Sequence, residues 1–252
     1  MKVLLLLILL GSFAGAQNPP NLSSPFLPVA APAQEPPRHF EWQPALAQSY
    51  RLLLMEHGWR LAFQDKTRRE LGGPFFKDYI HSIAGLRGWG DGDSWLTNYV
   101  GHPVQGAIAG YVYLHNHPQA RQQDFNSSPP YRNSRVKAML WSAAYSTSFE
   151  IGPLSEASLG NVGMTPGTSG LVDHVMTPTG GLAVMVGEDA VDRYFIHRWE
   201  QRTDNDHLRR LLRTALNPSR SIANLLRGKA PWFRDARPLR ETSGVPFAYS
   251  HP

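Results

Sequence analysis

Polar residues recur at four-residue intervals inside three stretches that are otherwise apolar, and this pattern constrains the fold more than any other feature of the chain. Asn98, His102 and Gly106 form the first row. Ser142, Ser146 and Glu150 form the second, among Met139, Leu140, Trp141, Tyr145 and Phe149. Asp173, Thr177 and Gly181 form the third. Residues four apart lie on one face of a helix. The rows therefore predict helices that carry a line of polar groups between aromatic and aliphatic flanks, a polar seam inside an apolar bundle.

The rest of the chain agrees with a mainly α class. Leu46, Tyr50, Leu53, Leu54, His57 and Leu61 have helical spacing, with Arg51, Glu56, Arg60 and Asp65 between them, which predicts a helix over residues 45–71 closed by Gly72, Gly73 and Pro74. A shorter helix is expected over 75–83, then a Gly-rich loop holding Trp89, Asp91 and Asp93. Pro103 allows two drawings. Either a helix runs from about Ser94 through a kink at Pro103, or a new one starts at Pro103 and continues to about Asn116. Residues 124–133 read as a loop and 134–151 as a helix. Residues 155–161 read as a short helix, and 163–170 as a Gly/Pro/Thr loop. Thr177-Pro178 reads as an N-cap with Pro at the first helical position, opening a helix towards Trp199. A further Arg-rich helix over 206–214 is broken by Asn217-Pro218-Ser219 ahead of a turn at 222–226. No internal repeat and no run of alternating strands is present.

Residues 1–16 have the form of a secretory signal peptide, with Lys2, an apolar run from Leu4 to Leu10, and Ala14-Gly15-Ala16 as the cleavage triplet. Seven prolines between Pro19 and Pro37 make residues 17–38 an extended tether. Residues 39–227 are then one helical, bundle-like domain, and 228–252 a basic, Pro-containing, mostly irregular tail. With 252 residues, 42% hydrophobic composition and seven Trp, the chain can bury one sizeable core. It has no Cys, hence neither a disulfide nor a lipoprotein attachment site. No segment after the leader is long and apolar enough to span a bilayer. The +5 formal charge, concentrated in C-terminal arginines, points in an exported protein to an anionic envelope lipid or polysaccharide, or to an envelope protein, rather than to nucleic acid.

The candidate catalytic residues are His102, Glu150 and Asp173. His102 beside Asn98 could act as a base or a metal ligand, since imidazole titrates near neutrality, or it could cap a helix while Asn98 binds loop backbone. Glu150, on an aromatic-flanked helix, needs a partner or a proton once buried. Candidate binding positions are Asn98, Gly106, Ser146, Thr177, Gly180, Gly181 and Glu188, the glycine pair suggesting close packing or ligand approach. Glu188 and Asp192 could bind a cation, although an Arg partner such as Arg193 or Arg198 is commoner. No metal signature is assigned and no cofactor is named. His115 and His117 lack the spacing of helical zinc sites, and Asp91-Gly92-Asp93 lacks the downstream ligands of a calcium loop. Nucleophile-elbow, phosphate-loop and dinucleotide motifs are absent from the sequence.

Taken together, Asn98-x-x-x-His102-Pro103-x-x-Gly106, Ser146-x-x-x-Glu150, Asp173-x-x-x-Thr177-Pro178-x-Gly180-Gly181 and Gly187-Glu188 resemble a family of exported bacterial proteins known only as a domain of unknown function. Asn217-Pro218-x-Arg220 and Asn224 resemble the stretch that follows that domain. The resemblance covers roughly Trp89 to Arg227 and departs where the family often has a Trp beside the Glu, here Phe149. It implies an envelope location and names no reaction. Two expectations result. One is an envelope-associated protein that binds a lipid or protein partner through its polar-seamed domain, every seam group being paired internally. The other is a periplasmic hydrolase or transferase that uses His102 with Glu150 or Asp173 in an accessible site.

Overall fold

A computed structural model describes residues 39–63, 65–70, 73–85, 87–159 and 170–239. The chain divides after Pro36, and all of these residues belong to the second unit. The leader, the whole of the Pro-rich tether at 17–38, most of the loop at 163–170 and the tail beyond 239 lie outside the described residues.

The described chain is mainly α, with no strand. Its helices are α1 (Trp42–Phe63), α2 (Asp65–Glu70), α3 (Phe75–Ala84), α4 (His102–His115), α5 (Pro129–Ile151), α6 (Val172–Val191), α7 (His197–Glu200), α8 (Asp206–Leu216) and α9 (Pro218–Leu226). The hydrophobic pattern explains the order of packing. In α4, Ala107, Ile108, Ala109, Tyr111, Val112 and Leu114 are all buried, so apolar groups face every direction. A helix apolar all round must be enclosed, and α4 is the central element, packed by α5, α6, α9 and α1. Leu52, Ala138, Tyr145, Phe149, Met185 and Ala223 complete this core from the surrounding helices.

The polar rows set how closely those helices meet. A Cβ built on Gly106 would lie 1.7 Å from the carbonyl oxygen of Thr177, and one on Gly181 would lie 2.6 Å from the carbonyl carbon of Gly106. Here α4 and α6 touch backbone to backbone. Gly180 fits in the same way against Pro103, 2.6 Å from a ring carbon. Typical helix axes stay 8–10 Å apart because side chains separate them. Removing the side chains at the crossing draws the two polar rows together.

Proline placement corrects several expectations. Of the two drawings at Pro103, the continuous one is found: residues 97–101 form a π-helical turn in which the amide of His102 donates to the carbonyl of Thr97, five residues back, and α4 follows directly. The extra residue in the turn falls just where Pro103 has no amide to offer. Helix α5 starts five residues earlier than expected, at Pro129, because Pro129 and Pro130 occupy positions whose amides need no partner and the Ser128 hydroxyl accepts from the amide of Tyr131. Thr177-Pro178 does not open α6. That helix begins at Val172 and carries Pro178 in its interior, which leaves the His174 carbonyl without its helical donor. Burial of Val172, Asp173, Thr177, Pro178 and Gly181 against the neighbouring helices offsets that loss. Residues 155–159 form turns rather than a helix, tied by reciprocal bonds between Ser155 and Ser158.

Residues 228–239 carry no helix, but they are held against the bundle. Asn224 donates to the carbonyls of Pro231 and Phe233, and Arg234 and Arg237 reach Asp192. The partners of Asp192 are thus Arg220, Arg234 and Arg237 rather than Arg193 or Arg198. Burial pushes the Asp192 carboxyl up, and the three guanidinium groups outweigh it, holding the group at about 2. No helix among the described residues is long and apolar enough to cross a membrane.

The glycine crossing predicts opposite outcomes at two positions of similar sequence context. Gly106→Ala should lower stability by about 3 kcal/mol, since a methyl group there collides with backbone. Gly187→Ala, in α6 with open space around it, should be neutral or stabilise by up to about 1 kcal/mol through helix propensity. Urea midpoints for the two variants check this; equal destabilisation would rule out the close crossing.

Candidate functional site

His102 opens α4, Glu150 sits one residue before the end of α5, and Asp173 lies in the first turn of α6. Because α4 crosses α6 at Gly106 and Gly181, one turn beyond each of these positions or two, His102 and Asp173 come to face one another. The His102 Nε2 atom is 3.1 Å from Asp173 Oδ1. His102, Glu150 and Asp173 each offer one donor atom, and these atoms all lie within 4.8 Å of one another. All three residues are buried, at 8%, 3% and 5% exposure. His102 Nε2, Glu150 Oε1 and Asp173 Oδ1 nevertheless have no hydrogen-bond partner.

A loop supplies further acidic groups. Backbone bonds from Leu171 to the Gly88 carbonyl and from Val172 to the Trp89 carbonyl clamp this loop onto the entry of α6. Gly170 permits the clamp, since a Cβ there would lie 2.3 Å from the Trp89 carbonyl. Gly92 then turns the chain with φ of 88°, which puts Asp91 and Asp93 within donor reach of His102. Asp91 Oδ1 accepts from Asn98 Nδ2 at 2.8 Å and from the Asp93 amide at 3.0 Å, and the Asp91 side chain is hydrogen-bonded to Asp173.

A second chain of polar contacts sets the state of His102. Tyr145 and Gln105 Nε2 both donate to Glu56 Oε2, at 2.6 and 2.9 Å. That orients the Gln105 amide so that its oxygen lies 3.0 Å from His102 Nδ1. Nδ1 is therefore the protonated nitrogen, and Nε2 presents a lone pair towards Asp173. Burial lowers the His102 pKa, which keeps the ring neutral. Glu150 is pushed up to about 8 by burial, with Asp91, Asp93 and Glu56 acting against Arg60. Asp173 is pushed up to about 9, by burial and then by Glu150 and Asp91. Arg60, which bears on Glu150, is itself ion-paired with Glu156.

The seven candidate binding residues do not form one site. Asn98 holds the Asp91 loop. Gly106, Gly180 and Gly181 form the helix crossing. Ser146 donates to the Asp173 carbonyl at 3.4 Å, and Ser142 to the Thr177 carbonyl at 3.5 Å, so the second row fastens α5 onto α6 beside the proline. The Thr177 hydroxyl is buried without a partner. Glu188 does not join the centre. It stands fifteen residues beyond Asp173, about 22 Å along the helix, and accepts from the amides of Ser219 and Arg220 at the start of α9.

Asp91, Asp93, Glu56 and Gln105 are the participants that row spacing misses. Two belong to a loop, where no periodicity operates, and two lie on helices outside the four-residue rows. The only local signal is the pair of acids around Gly92. Comparison with protein-family models, with curated proteins and with solved structures finds no match to this chain.

Glu56 supplies a test of this electrostatic frame. Burial raises its carboxyl to about 7, against the hydrogen bonds from Tyr145 and Gln105. A carboxyl with a raised folded-state pKa favours folding while it is protonated, and the benefit is lost as pH rises through 7. Glu56→Gln does not titrate. Its stability relative to wild type should therefore improve between pH 5 and pH 8, by on the order of 1–3 kcal/mol. Denaturation midpoints that run parallel across this range would contradict the arrangement.

Proposed function

We propose that the chain is an exported, envelope-associated helical hydrolase, with His102, Glu150 and Asp173 as its reactive centre. One observation carries this reading: three helices deliver three titratable side chains to one buried point, and the facing atom of each has no hydrogen-bond partner. A seam that served only as a scaffold would pair its polar groups internally, because an unsatisfied buried group costs about 1–3 kcal/mol. Asn98 Oδ1, His102 Nε2, Glu150 Oε1, Asp173 Oδ1 and Thr177 Oγ1 are all unpaired. Strongly shifted carboxyl groups gathered in one place are characteristic of reactive sites.

Hydrolysis suits the groups present. Water held at the centre gives up a proton there while its oxygen bonds to an acyl or phosphoryl centre, and the bond to the leaving group breaks as that group takes a proton. Exposed Asp93, next to His102, marks the solvent side. Trp89, Trp95 and Tyr99 are exposed on the same segment and offer aromatic surface to a substrate. Among the described residues, the hydroxyls beside the centre are not bonded to its titratable groups: Ser142 and Ser146 donate to backbone carbonyls and Thr177 has no partner. Water is the nucleophile in this reading.

The signal-peptide form of the leader, and a motif order that resembles an exported family, support the envelope location. An anionic lipid or polysaccharide, or an envelope protein, remains the proposed surrounding partner. The arginines that suggested it are largely turned inward: Arg213 pairs with Glu200, Arg220 with Asp189, Arg227 with Asp235, and Arg234 and Arg237 with Asp192.

The test is turnover of chromogenic carboxylic and phosphoric esters by the purified full chain. Glu150→Gln and His102→Gln should reduce kcat by about 100-fold or more, with helical circular dichroism unchanged. Absence of turnover in the wild type across both ester classes, or variants as active as wild type, would overturn the hydrolase reading.

A further inference from the structure

The geometry points to a divalent metal site: we propose that His102 Nε2, Glu150 Oε1 and Asp173 Oδ1 are ligands of a first-row transition ion such as Zn²⁺ or Mn²⁺. The inference rests on the reading of these residues as the reactive centre, and it names the agent that activates water there.

Tautomer logic is the first support. Glu56 and Tyr145 fix the Gln105 amide, Gln105 fixes the proton on Nδ1, and the Nε2 lone pair is left facing a carboxylate oxygen at 3.1 Å. Two acceptors in contact inside a protein repel unless a proton or a cation lies between them. A proton on Asp173 would bridge to Nε2, but it would leave Glu150 Oε1 buried and unpaired. A cation serves all three atoms at once. Metal–ligand distances of about 2.1 Å place adjacent ligands about 3.0–3.4 Å apart, which matches the His102–Asp173 separation.

Charge is the second support. Glu150, Asp173, Asp91 and Asp93 crowd this point, and the cation that bears on them, Arg60, is shared with Glu56 and also pairs with Glu156. A divalent ion at this point would offset the negative charge that four neighbouring carboxyl groups bring together.

The surroundings also have the form of a metal site's outer shell. A ligating histidine characteristically donates its other N–H to a fixed acceptor, as His102 does to Gln105. Asp91 is hydrogen-bonded to Asp173, while Asn98 and the Asp93 amide hold Asp91. One imidazole and two carboxylates, in a chain without thiolates, favour Zn²⁺, Mn²⁺ or Fe²⁺ over the all-oxygen preference of Ca²⁺. Three protein ligands leave a coordination position for water, whose pKa a bound zinc ion lowers to about 7.

Calorimetric titration of the chelator-stripped full chain with ZnCl₂ and MnCl₂ tests the assignment. At least one of the ions should bind at one per chain, and Glu150→Gln and His102→Gln should each weaken binding by about 100-fold, with circular dichroism unchanged. His207→Ala, at an exposed position of α8, should bind as wild type does. No binding of either ion by the wild type, or wild-type affinity in the folded Glu150→Gln variant, would overturn the metal site. The two readings fail separately. Ester turnover that persists in chelator removes the metal and keeps the hydrolase, whereas stoichiometric binding without turnover keeps the metal and removes the hydrolase.

Discussion

Contact between the backbones of α4 and α6 at Gly106 and Gly181 is the constraint on which the rest of the structure depends. With a side chain at either glycine the helices would stand apart, and His102 and Asp173, each about one or two turns from the crossing, would not meet. The same approach brings Pro103 against Gly180 and lets Ser142 and Ser146 reach the carbonyls of Thr177 and Asp173. Close packing here thus positions chemistry as well as core.

That crossing creates an electrostatic problem that the fold meets differently at its two ends. Towards the C-terminal end of α6, Asp189 and Asp192 are buried against Arg135, Arg220, Arg234 and Arg237, and Tyr111 and Tyr131 donate to Asp189. Every charge there has a counter-charge, and the network ties α4, α5, α6, α9 and residues 228–239 into one body. Towards the N-terminal end, Glu150 and Asp173 share Arg60 with other acids and leave oxygens unpaired. A buried carboxylate without a partner is unfavourable by several kcal/mol unless it takes a proton or a cation. Along one helix, a fully paired ion network thus stands at one end and a cluster of unpaired buried groups at the other.

Helix existence was legible because it rests on local periodicity. The rows at 98–106, 142–150 and 173–181, and the apolar spacing around Leu46 to Leu61, each mark a helix that is present. Boundaries at prolines were less legible. Pro129 and Pro178 carry the same local signal, yet one begins a helix and the other sits within one; burial of α6 against two neighbours decides the second case. Three of the centre's residues stood in the rows, whereas Asp91 and Asp93 entered through a loop, and Glu56 and Gln105 entered through contacts across 49 residues of chain.

The sequence by itself determined a mainly helical chain, the faces on which its polar groups lie, and the small residues that allow close approach, since these follow from spacing within single segments. Only the tertiary structure decided that His102, Glu150 and Asp173 converge while Glu188 does not, that Nδ1 of His102 carries the proton, and that the C-terminal arginines turn inward. Those outcomes depend on which helices cross and where, and on the orientation of partners far apart in the chain. No periodicity within one segment carries that information.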